Sequence, residues 1–264
     1  MAGLSEPAQH DPAQHDPARH DPARRDPAAQ GPTGTIASVQ VGGPQTYEWL
    51  GRSLVTSIFK ERVEGPVGVR WHNLEGDDQS DRKSHGGADK AVYAYAREDE
   101  DWWESELGRT LPNGLFGENL TTTGLDLTNA VIGQTWTVGT AVLQVTEPRT
   151  PCWKLGLRLG DPAFPRRAAA SRRPGVLLRV LREGVLEAGD AVALGEPPAH
   201  GITAADVNRV YYGEVKDPAA IYGAPELAAH WLTWVGHRKV WHEEDAAIGR
   251  LGPAPSTGVD GTRA

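Results

Sequence analysis

Short β-type segments separated by glycine and proline occupy most of the chain between residues 35 and 192. They are rich in β-branched and aromatic residues, which favour strands. One moderate helix is predicted among them at Arg97–Leu107, where acidic residues in the early turns suit the helix dipole. Many short strands with glycine-rich turns predict a mainly β fold, a closed or nearly closed β-barrel with short helices. The predicted strands are Thr35–Val41, Thr56–Lys60, Val67–Arg70, Ala91–Ala96, two strands within Thr135–Thr146, Val176–Leu181 and Gly184–Val192.

The composition changes three times along the chain and so predicts four parts. Residues 1–34 form a low-complexity tail in which Asp-Pro-Ala recurs every five residues, a spacing that excludes helices and paired strands. Residues 35–198 hold the predicted barrel. Residues 199–245 predict a small helical subdomain, with a capping box at Thr203–Asp206, a second helix opening at Asp217-Pro218 and a third along the stripe Leu227, Trp231, Trp234 and Val235. Residues 246–264 form a second tail.

Charge, cysteine content and hydropathy restrict the function classes. A net charge of −8 argues against binding to a nucleic-acid backbone, which needs a basic face, although it leaves room for one local basic pocket. A single cysteine excludes an internal disulfide and is typical of a reducing compartment. No apolar run approaches the roughly 18 residues that span a bilayer. We therefore expect a soluble, cytoplasmic protein without nucleic-acid or membrane partners.

The only cysteine lies in the segment Glu147–Lys154, which contains prolines at 148 and 151. Because proline restricts its own backbone and that of the preceding residue, this segment is predicted to be a stiff, non-helical loop. The basic neighbours Arg149 and Lys154 are expected to lower the pKa of the Cys152 thiol below its free value of about 8.5. A thiolate is a nucleophile or a ligand for a soft metal, whereas a buried thiol serves only as a small hydrophobic group. Sequence alone leaves both roles open for Cys152.

Two further loops combine glycine with reactive side chains. Residues 84–90, Ser-His-Gly-Gly-Ala-Asp-Lys, place backbone amides beside a histidine and a lysine and so predict a nest for an oxyanion, although a tight turn before a strand explains the same residues. Residues 116–124 form a polar loop bounded by glycine, and asparagine and threonine are common in ordinary turns. Neither loop is specific by itself.

Taken together and in order, these loops resemble the MOSC family, domains similar to the C-terminal part of molybdenum cofactor sulfurases. The resemblance rests on His85-Gly86-Gly87 with Lys90 to Tyr95, on Phe116-Gly117-Glu118-Asn119-Leu120, and on Glu147 to Leu155. The added helices are similar to the stand-alone, YiiM-like branch. The resemblance implies a β-barrel that binds a molybdenum–molybdopterin cofactor, with Cys152 as the protein ligand of the metal and without pyridoxal phosphate. The residues implied to line the cofactor cleft are His85, Gly86, Lys90, Asn119, Arg149 and Thr150.

The same branch implies an oxidoreductase that removes oxygen from N-hydroxylated bases, hydroxylamines or amidoximes and releases water. The reaction consumes two electrons and two protons, and the cofactor supplies the redox chemistry. No flavin, haem or iron–sulfur motif is evident, and one cysteine cannot hold a cluster. We therefore expect an external reductase as electron donor. A homodimer is compatible with the resemblance.

The sequence is also compatible with other functions of Cys152. The protein could be a non-catalytic carrier that holds the cofactor or a persulfide sulfur on this cysteine. It could also be a cysteine-nucleophile enzyme with His85 as the base, or an interaction protein without catalysis. The sequence departs from the branch near Gly175, which is followed by Val176 and Leu177 where relatives usually carry aromatic residues. The preceding Arg172-Arg173-Pro174 is also unusual, so a change in substrate range is expected there.

Overall fold

Strands account for most of the regular structure before residue 195. The structure is a computed structural model that describes residues 33–80 and 86–234. Its strands are β1 (Thr33–Val41), β2 (Gln45–Trp49), β3 (Arg52–Thr56), β4 (Glu61–Val63), β5 (Val67–Arg70), β6 (Asn73–Leu74), β7 (Val92–Ala96), β8 (Leu120–Thr123), β9 (Thr135–Val138), β10 (Ala141–Pro148), β11 (Val176–Arg182), β12 (Gly184–Leu186) and β13 (Ala191–Leu194). Its α-helices are α1 (Arg97–Leu107), α2 (Trp153–Leu159), α3 (Phe164–Ser171), α4 (Ala204–Tyr211) and α5 (Ala229–Trp234), and short 3-10 helices cover Ala88–Lys90 and Pro218–Ile221.

Seven of the strands close into a barrel. They follow the order β13-β9-β10-β11-β7-β8-β1, and pairing of β1 with β13 completes the ring. Neighbours are antiparallel except for β7 and β8, which are parallel with Ala94 opposite Leu120. Closure leaves no free edge within the ring, which protects its backbone groups from pairing with other chains. The predicted mainly β barrel is confirmed.

The alternation of side chains along β7 connects the barrel to an outer layer of helices. Val92, Ala94 and Ala96 belong to the main core, which contains residues from every strand of the ring. Tyr93 and Tyr95 point to the opposite face, because successive side chains of a strand alternate. There they join a second core with residues of α1, α2 and α3. The strand therefore supports the barrel on one face and a helix-covered surface on the other.

The C-terminal helices pack on the barrel. Helix α4 begins at the predicted capping box, in which Thr203 and Asp206 each accept a hydrogen bond from the other's backbone amide. The predicted second helix is a 3-10 turn in which the Asp217 side chain accepts from the amide of Ala219 at 2.9 Å. Apolar residues of this region lie in the same core as the barrel, among them Val207, Leu227 and Trp231.

Some boundaries predicted from the sequence lie outside the described residues or shift. Strand β1 begins at Thr33, two residues before the predicted start of the barrel. The rest of the first tail, the end of the predicted helical subdomain and the second tail lie outside the described ranges. Within the described ranges, no helix has both the length and the apolar character to cross a membrane.

The predicted strand Thr56–Lys60 is wrong beyond its first residue. Residues 57–60 form a local turn in which Lys60 N–H donates to the Ile58 carbonyl at 3.0 Å and Ile58 N–H donates to the Thr56 hydroxyl at 3.2 Å. The apolar pattern that suggested a strand has another cause, since Ile58 lines a cleft and Phe59 stacks on Tyr47 at 3.9 Å. The neighbouring hairpin of β2 and β3 was not predicted.

Two other elements differ from the prediction. The segment Gly184–Val192 is divided into β12 and β13 by a turn in which Glu187 N–H donates to the Asp190 carboxylate at 2.9 Å. The predicted loop Glu147–Lys154 is shorter than expected, because β10 extends through Pro148 and α2 begins at Trp153. Two helices that were not predicted, α2 and α3, follow this connection. Only four residues therefore separate the last barrel residue of β10 from a helix.

Candidate functional site

Cys152 lies at the end of the short connection between β10 and α2. It is the N-cap residue of α2 and has an extended backbone, with φ −125° and ψ 169°. Its carbonyl accepts the amide of Leu155 at 3.0 Å, and no side-chain hydrogen bond caps the helix. The thiol is half-buried. A strand end and a helix start on either side hold the cysteine in a defined and reachable position.

The thiol opens into a cleft between the outer face of β7 and helices α2 and α3. The cleft has a volume of about 320 Å³, including space open to solvent. Its walls include the aromatic rings of Tyr93, Tyr95 and Phe116. Among the described residues that line the cleft, the charged side chains are the guanidinium groups of Arg149 and Arg173. The site therefore combines a soft sulfur donor, flat apolar walls and two cations.

Arg149 is the cationic neighbour of the thiol. Its Nη2 lies 3.5 Å from Cys152 Sγ, and its Nη1 donates to the Thr150 carbonyl at 2.6 Å. Its Cζ lies 5.9 Å from the centre of the Tyr93 ring. Burial opposes the charge of Arg149, but interaction with Cys152 and Tyr93 outweighs this and raises its pKa above the ordinary value. A guanidinium in this position favours the anionic form of the sulfur.

Two tyrosine hydroxyls form hydrogen bonds with the loop that carries Arg173 and Pro174. Tyr93 donates to the carbonyl of Pro174 at 2.9 Å, and Tyr95 donates to the carbonyl of Arg173 at 3.1 Å. Burial raises the pKa of both phenols well above the ordinary value. Both therefore remain protonated at neutral pH and act as constant donors to this loop.

Gly175 joins the two loops that carry the arginines. Its φ of 63° lies in the left-handed region, and a Cβ at this residue would stand 2.4 Å from the carbonyl oxygen of Ala94. The close approach allows the Gly175 carbonyl to accept the amide of Arg149 at 3.3 Å. Glycine is required here by both backbone conformation and space.

Lys90 lies in a separate network with the C-terminal helix. Its Nζ is 3.8 Å from Glu147 Oε1. Glu147 Oε2 accepts a hydrogen bond from Trp231 and lies 3.1 Å from His230 Nε2. Glu147 is buried, and it belongs to β10 five residues before Cys152. The network therefore ties the end of β10 to the C-terminal helix α5. Lys90 is not among the residues that line the cleft.

Asn119 has a structural role within the barrel wall. Its side-chain oxygen accepts the amide of Tyr93 at 3.1 Å, and its Nδ2 donates to the Gln40 carbonyl at 3.2 Å and to Asp77 Oδ2 at 2.9 Å. It is buried and does not line the cleft. These three bonds connect β7 with the end of β1 and with the loop that carries Asp77.

The remaining predicted residues contribute less to the described cleft. Thr150 touches the site through its carbonyl, which accepts from Arg149. Gly86 is described but does not line the cleft, and His85 lies outside the described residues. Two amides of the oxyanion nest predicted from residues 84–90 have hydrogen-bond partners within the chain. Gly87 N–H donates to the Gln79 side chain at 3.0 Å, and Lys90 N–H donates to the Gly87 carbonyl at 3.0 Å.

A pair of buried carboxyl groups lies behind the aromatic wall. Glu118 accepts hydrogen bonds from the amides of Gly114 and Phe116 and from the Thr121 hydroxyl. Glu100 of α1 interacts electrostatically with Glu118, and both side chains are fully buried. Burial and the charge of Glu118 raise the pKa of Glu100 to about 10. The pair therefore holds a proton at neutral pH, since two adjacent buried carboxylates repel each other.

Sequence reasoning missed several residues of the cleft. Tyr93 and Tyr95 were assigned to a buried strand, and only their spacing of two residues indicated that they share one face. Arg173 lies in a segment that the sequence marks as unusual, but no local signal placed it at the same cleft as Arg149. Its position follows from the pairing of β11 with β7, in which Val176 lies opposite Ala94.

A model of the MOSC domain matches residues 81–193, a range that contains the cleft cysteine, both arginines and both tyrosines. An uncharacterised protein, YflK of Bacillus subtilis, is 37% identical over 200 residues, which cover 76% of this chain and 90% of that protein. The chain belongs to the MOSC domain family. The family resemblance predicted from the three loops is thus confirmed.

This MOSC protein is also similar to solved structures of the YiiM type. The crystal structure of YiiM from Geobacillus stearothermophilus has a TM-score of 0.63 and 32% identity, and the match covers 80% of this chain and 98% of that chain. A protein of Gibberella moniliformis named a reductase is 34% identical over 166 residues, which cover 61% of this chain but 29% of that protein. The MOSC chain is therefore YiiM-like in sequence and structure, and it corresponds to only part of the fungal reductase.

Proposed function

We propose that this MOSC protein is a molybdenum-cofactor-dependent oxidoreductase that reduces N-hydroxylated compounds to amines or amidines. The observation that carries the proposal is the reachable thiol of Cys152, which faces an aromatic cleft and lies beside Arg149. Family membership supports it, because MOSC domains are associated with molybdenum cofactor binding. The similarity to a protein named a reductase supports the reaction class.

The residues of the cleft fit such a cofactor. A thiolate is a soft ligand of the kind that transition metals of this type accept, and Cys152 offers one sulfur to a metal that arrives with further ligands from its pterin. The aromatic walls suit a flat ring system, and the arginines suit an anionic group. Cys152 would hold the metal, Arg149 would stabilise the sulfur as a thiolate, and the bound cofactor would supply the two-electron reduction.

The protein's own contribution is orientation and charge. In the proposed reaction the N–O bond breaks, two electrons and two protons are consumed, and the products are an amine and water. An external reductase would supply the electrons. The hydroxyl groups of Tyr93 and Tyr95 donate hydrogen bonds to backbone carbonyls and so hold the loop that carries Arg173 in position. Their raised pKa values make them unsuited to release those protons during turnover.

The proposal is tested by turnover with an artificial donor. Full-length protein from a host that makes the cofactor is incubated with reduced viologen and an N-hydroxylated purine, a hydroxylamine or an amidoxime, and amine formation is measured. We expect one amine for every two viologen radicals oxidised. Cys152→Ser should abolish turnover, and the exposed Arg166→Gln should retain it.

Two results would overturn the proposal. Full turnover by Cys152→Ser with an unchanged melting temperature would remove the cysteine from the chemistry. Bound cofactor or a persulfide on Cys152 without turnover of any of the three substrate classes would favour the carrier function instead.

A further inference from the structure

The charge of the cleft is unbalanced among the residues that line it. Arg149 and Arg173 contribute two guanidinium groups, and no aspartate or glutamate of the described chain lines the same cleft. Arg149 is engaged with the Cys152 sulfur, whereas Arg173 lines the cleft from the loop after α3. We propose that Arg173 forms an oxyanion site with Arg149, which binds a phosphate or carboxylate group of the molecule that occupies the cleft.

Arg173 is held in place before any ligand arrives. Its Nη1 donates to Asp99 Oδ1, and its Cζ lies 4.6 Å from the centre of the Trp102 ring. Asp99 and Trp102 both belong to α1, so one helix supports the guanidinium through an ion pair and through a cation–π contact. A group that is already positioned loses little conformational freedom on binding, which favours affinity.

The backbone that carries Arg173 is equally constrained. Its amide donates to the Ser171 hydroxyl at 3.3 Å, and its carbonyl accepts from Tyr95. The carbonyl of Pro174 accepts a hydrogen bond from the Tyr93 hydroxyl, and the carbonyl of Gly175 accepts one from the amide of Arg149. The two arginines are thus attached to loops that are hydrogen-bonded to each other.

Arg173 retains hydrogen-bonding capacity after its contact with Asp99. Its Nε is buried and has no partner within residues 33–80 and 86–234, while about a third of its side chain is exposed. A buried donor without an acceptor is unfavourable, and guanidinium groups form paired hydrogen bonds with oxyanions. A phosphate or carboxylate that enters the cleft would provide acceptors for the part of the guanidinium that lines it.

The shape of the cleft defines the rest of the ligand. Tyr93, Tyr95 and Phe116 provide flat apolar walls, so the oxyanion is expected on an aromatic or similarly planar frame. Two sources share this chemistry: the phosphate of the pterin cofactor and an acidic group on the substrate. The oxyanion site is independent of the proposed reaction, whereas the choice between the two sources rests on the proposed function.

The first experiment measures anion binding without cofactor or turnover. Full-length protein is produced in a host that cannot make the pterin, and phenyl phosphate is titrated by calorimetry. We expect saturable binding that Arg173→Gln weakens about tenfold or more, because a charge-assisted hydrogen bond is lost. Arg166→Gln, an exposed residue of α3, is the matched control and should bind as the unmodified chain does.

Asp99 distinguishes an anion site from a structural ion pair. Asp99→Asn keeps the guanidinium but removes the competing charge, so phenyl phosphate should bind about threefold more tightly or better. If the pair only maintained the fold, Asp99→Asn and Arg173→Gln would weaken binding alike. The double variant Asp99→Asn with Arg173→Gln avoids a buried unpaired carboxylate and should show the weak binding of Arg173→Gln.

The second experiment identifies the source of the oxyanion. Cofactor-loaded Arg173→Gln is compared with the unmodified protein for pterin content after gel filtration and for KM with a neutral and a phosphorylated N-hydroxylated substrate. Loss of pterin assigns the anion to the cofactor. Retained pterin with a raised KM for the phosphorylated substrate alone assigns it to the substrate. The proposal is overturned if phenyl phosphate binds Arg173→Gln and Asp99→Asn as it binds the unmodified chain, or does not bind the unmodified chain at all, whatever the outcome for turnover.

Discussion

Glu100→Gln is expected to change the pH dependence of stability. The pKa of Glu100 is raised to about 10, whereas an exposed glutamate titrates near 4.3. Between these values the folded state holds one more proton than the unfolded state, so the free energy of unfolding falls as pH rises. One such proton corresponds to at most about 1.4 kcal/mol per pH unit, or about 4 kcal/mol between pH 6 and pH 9.

The amide of glutamine imitates the protonated carboxyl group without being able to ionise. It can donate to Glu118, and its oxygen can accept from Arg97 as Glu100 does at 2.8 Å. Urea unfolding followed by tryptophan fluorescence at pH 6 and pH 9 measures the effect. We expect similar stabilities at pH 6, and at pH 9 Glu100→Gln should be more stable by up to about 4 kcal/mol.

The matched control is Glu106→Gln, an exposed residue of the same helix. Its stability should follow that of the unmodified protein at both pH values, since surface substitutions usually change it by about 0.5 kcal/mol or less. If the free energy of unfolding fell equally between pH 6 and pH 9 in the unmodified protein and in Glu100→Gln, the shared proton would be refuted. A less stable Glu100→Gln at pH 9 would refute it equally.

Two further predictions concern the loop that joins the arginines. Tyr93→Phe removes the donor to the buried Pro174 carbonyl and should lower the free energy of unfolding by about 1–3 kcal/mol, measured by urea unfolding. The control is Tyr47→Phe, because among the described residues the Tyr47 hydroxyl bonds only to an exposed side chain. Gly175→Ala should cost about 2 kcal/mol or more and should weaken phenyl phosphate binding, because its Cβ would displace the Ala94 carbonyl. A Gly175→Ala protein as stable as the control Gly43→Ala, where a Cβ meets open space, would contradict this account.

The barrel could be predicted from the sequence because its strands have strong local signals. The run Ala91–Ala96 and the acidic start of α1 identified a strand and a helix that the structure retains. The hairpin of β2 and β3 lacked such a signal. Its side chains are largely exposed, and its turn uses Leu50 with φ 49° before Gly51, where asparagine or aspartate would normally mark the turn.

The cleft could be predicted only in part. Cys152 and Arg149 are three residues apart, so their proximity follows from the chain itself. Arg173 lines the same cleft because of strand pairing and of hydrogen bonds from Tyr93 and Tyr95 to its loop, which depend on contacts distant in sequence. Asn119 was assigned to the cofactor from a motif, but its described hydrogen bonds serve the barrel wall.

Molybdenum and pterin content per chain tests the central claim most directly. Full-length protein and Cys152→Ser are purified from a host that makes the cofactor, and metal is measured by mass spectrometry and pterin by fluorescence after oxidation. We expect about one molybdenum and one pterin per chain in the unmodified protein, and loss of the metal in a folded Cys152→Ser. Equal molybdenum in the two proteins, or none in a folded unmodified protein while a molybdenum enzyme made in the same cells is loaded, would contradict this claim.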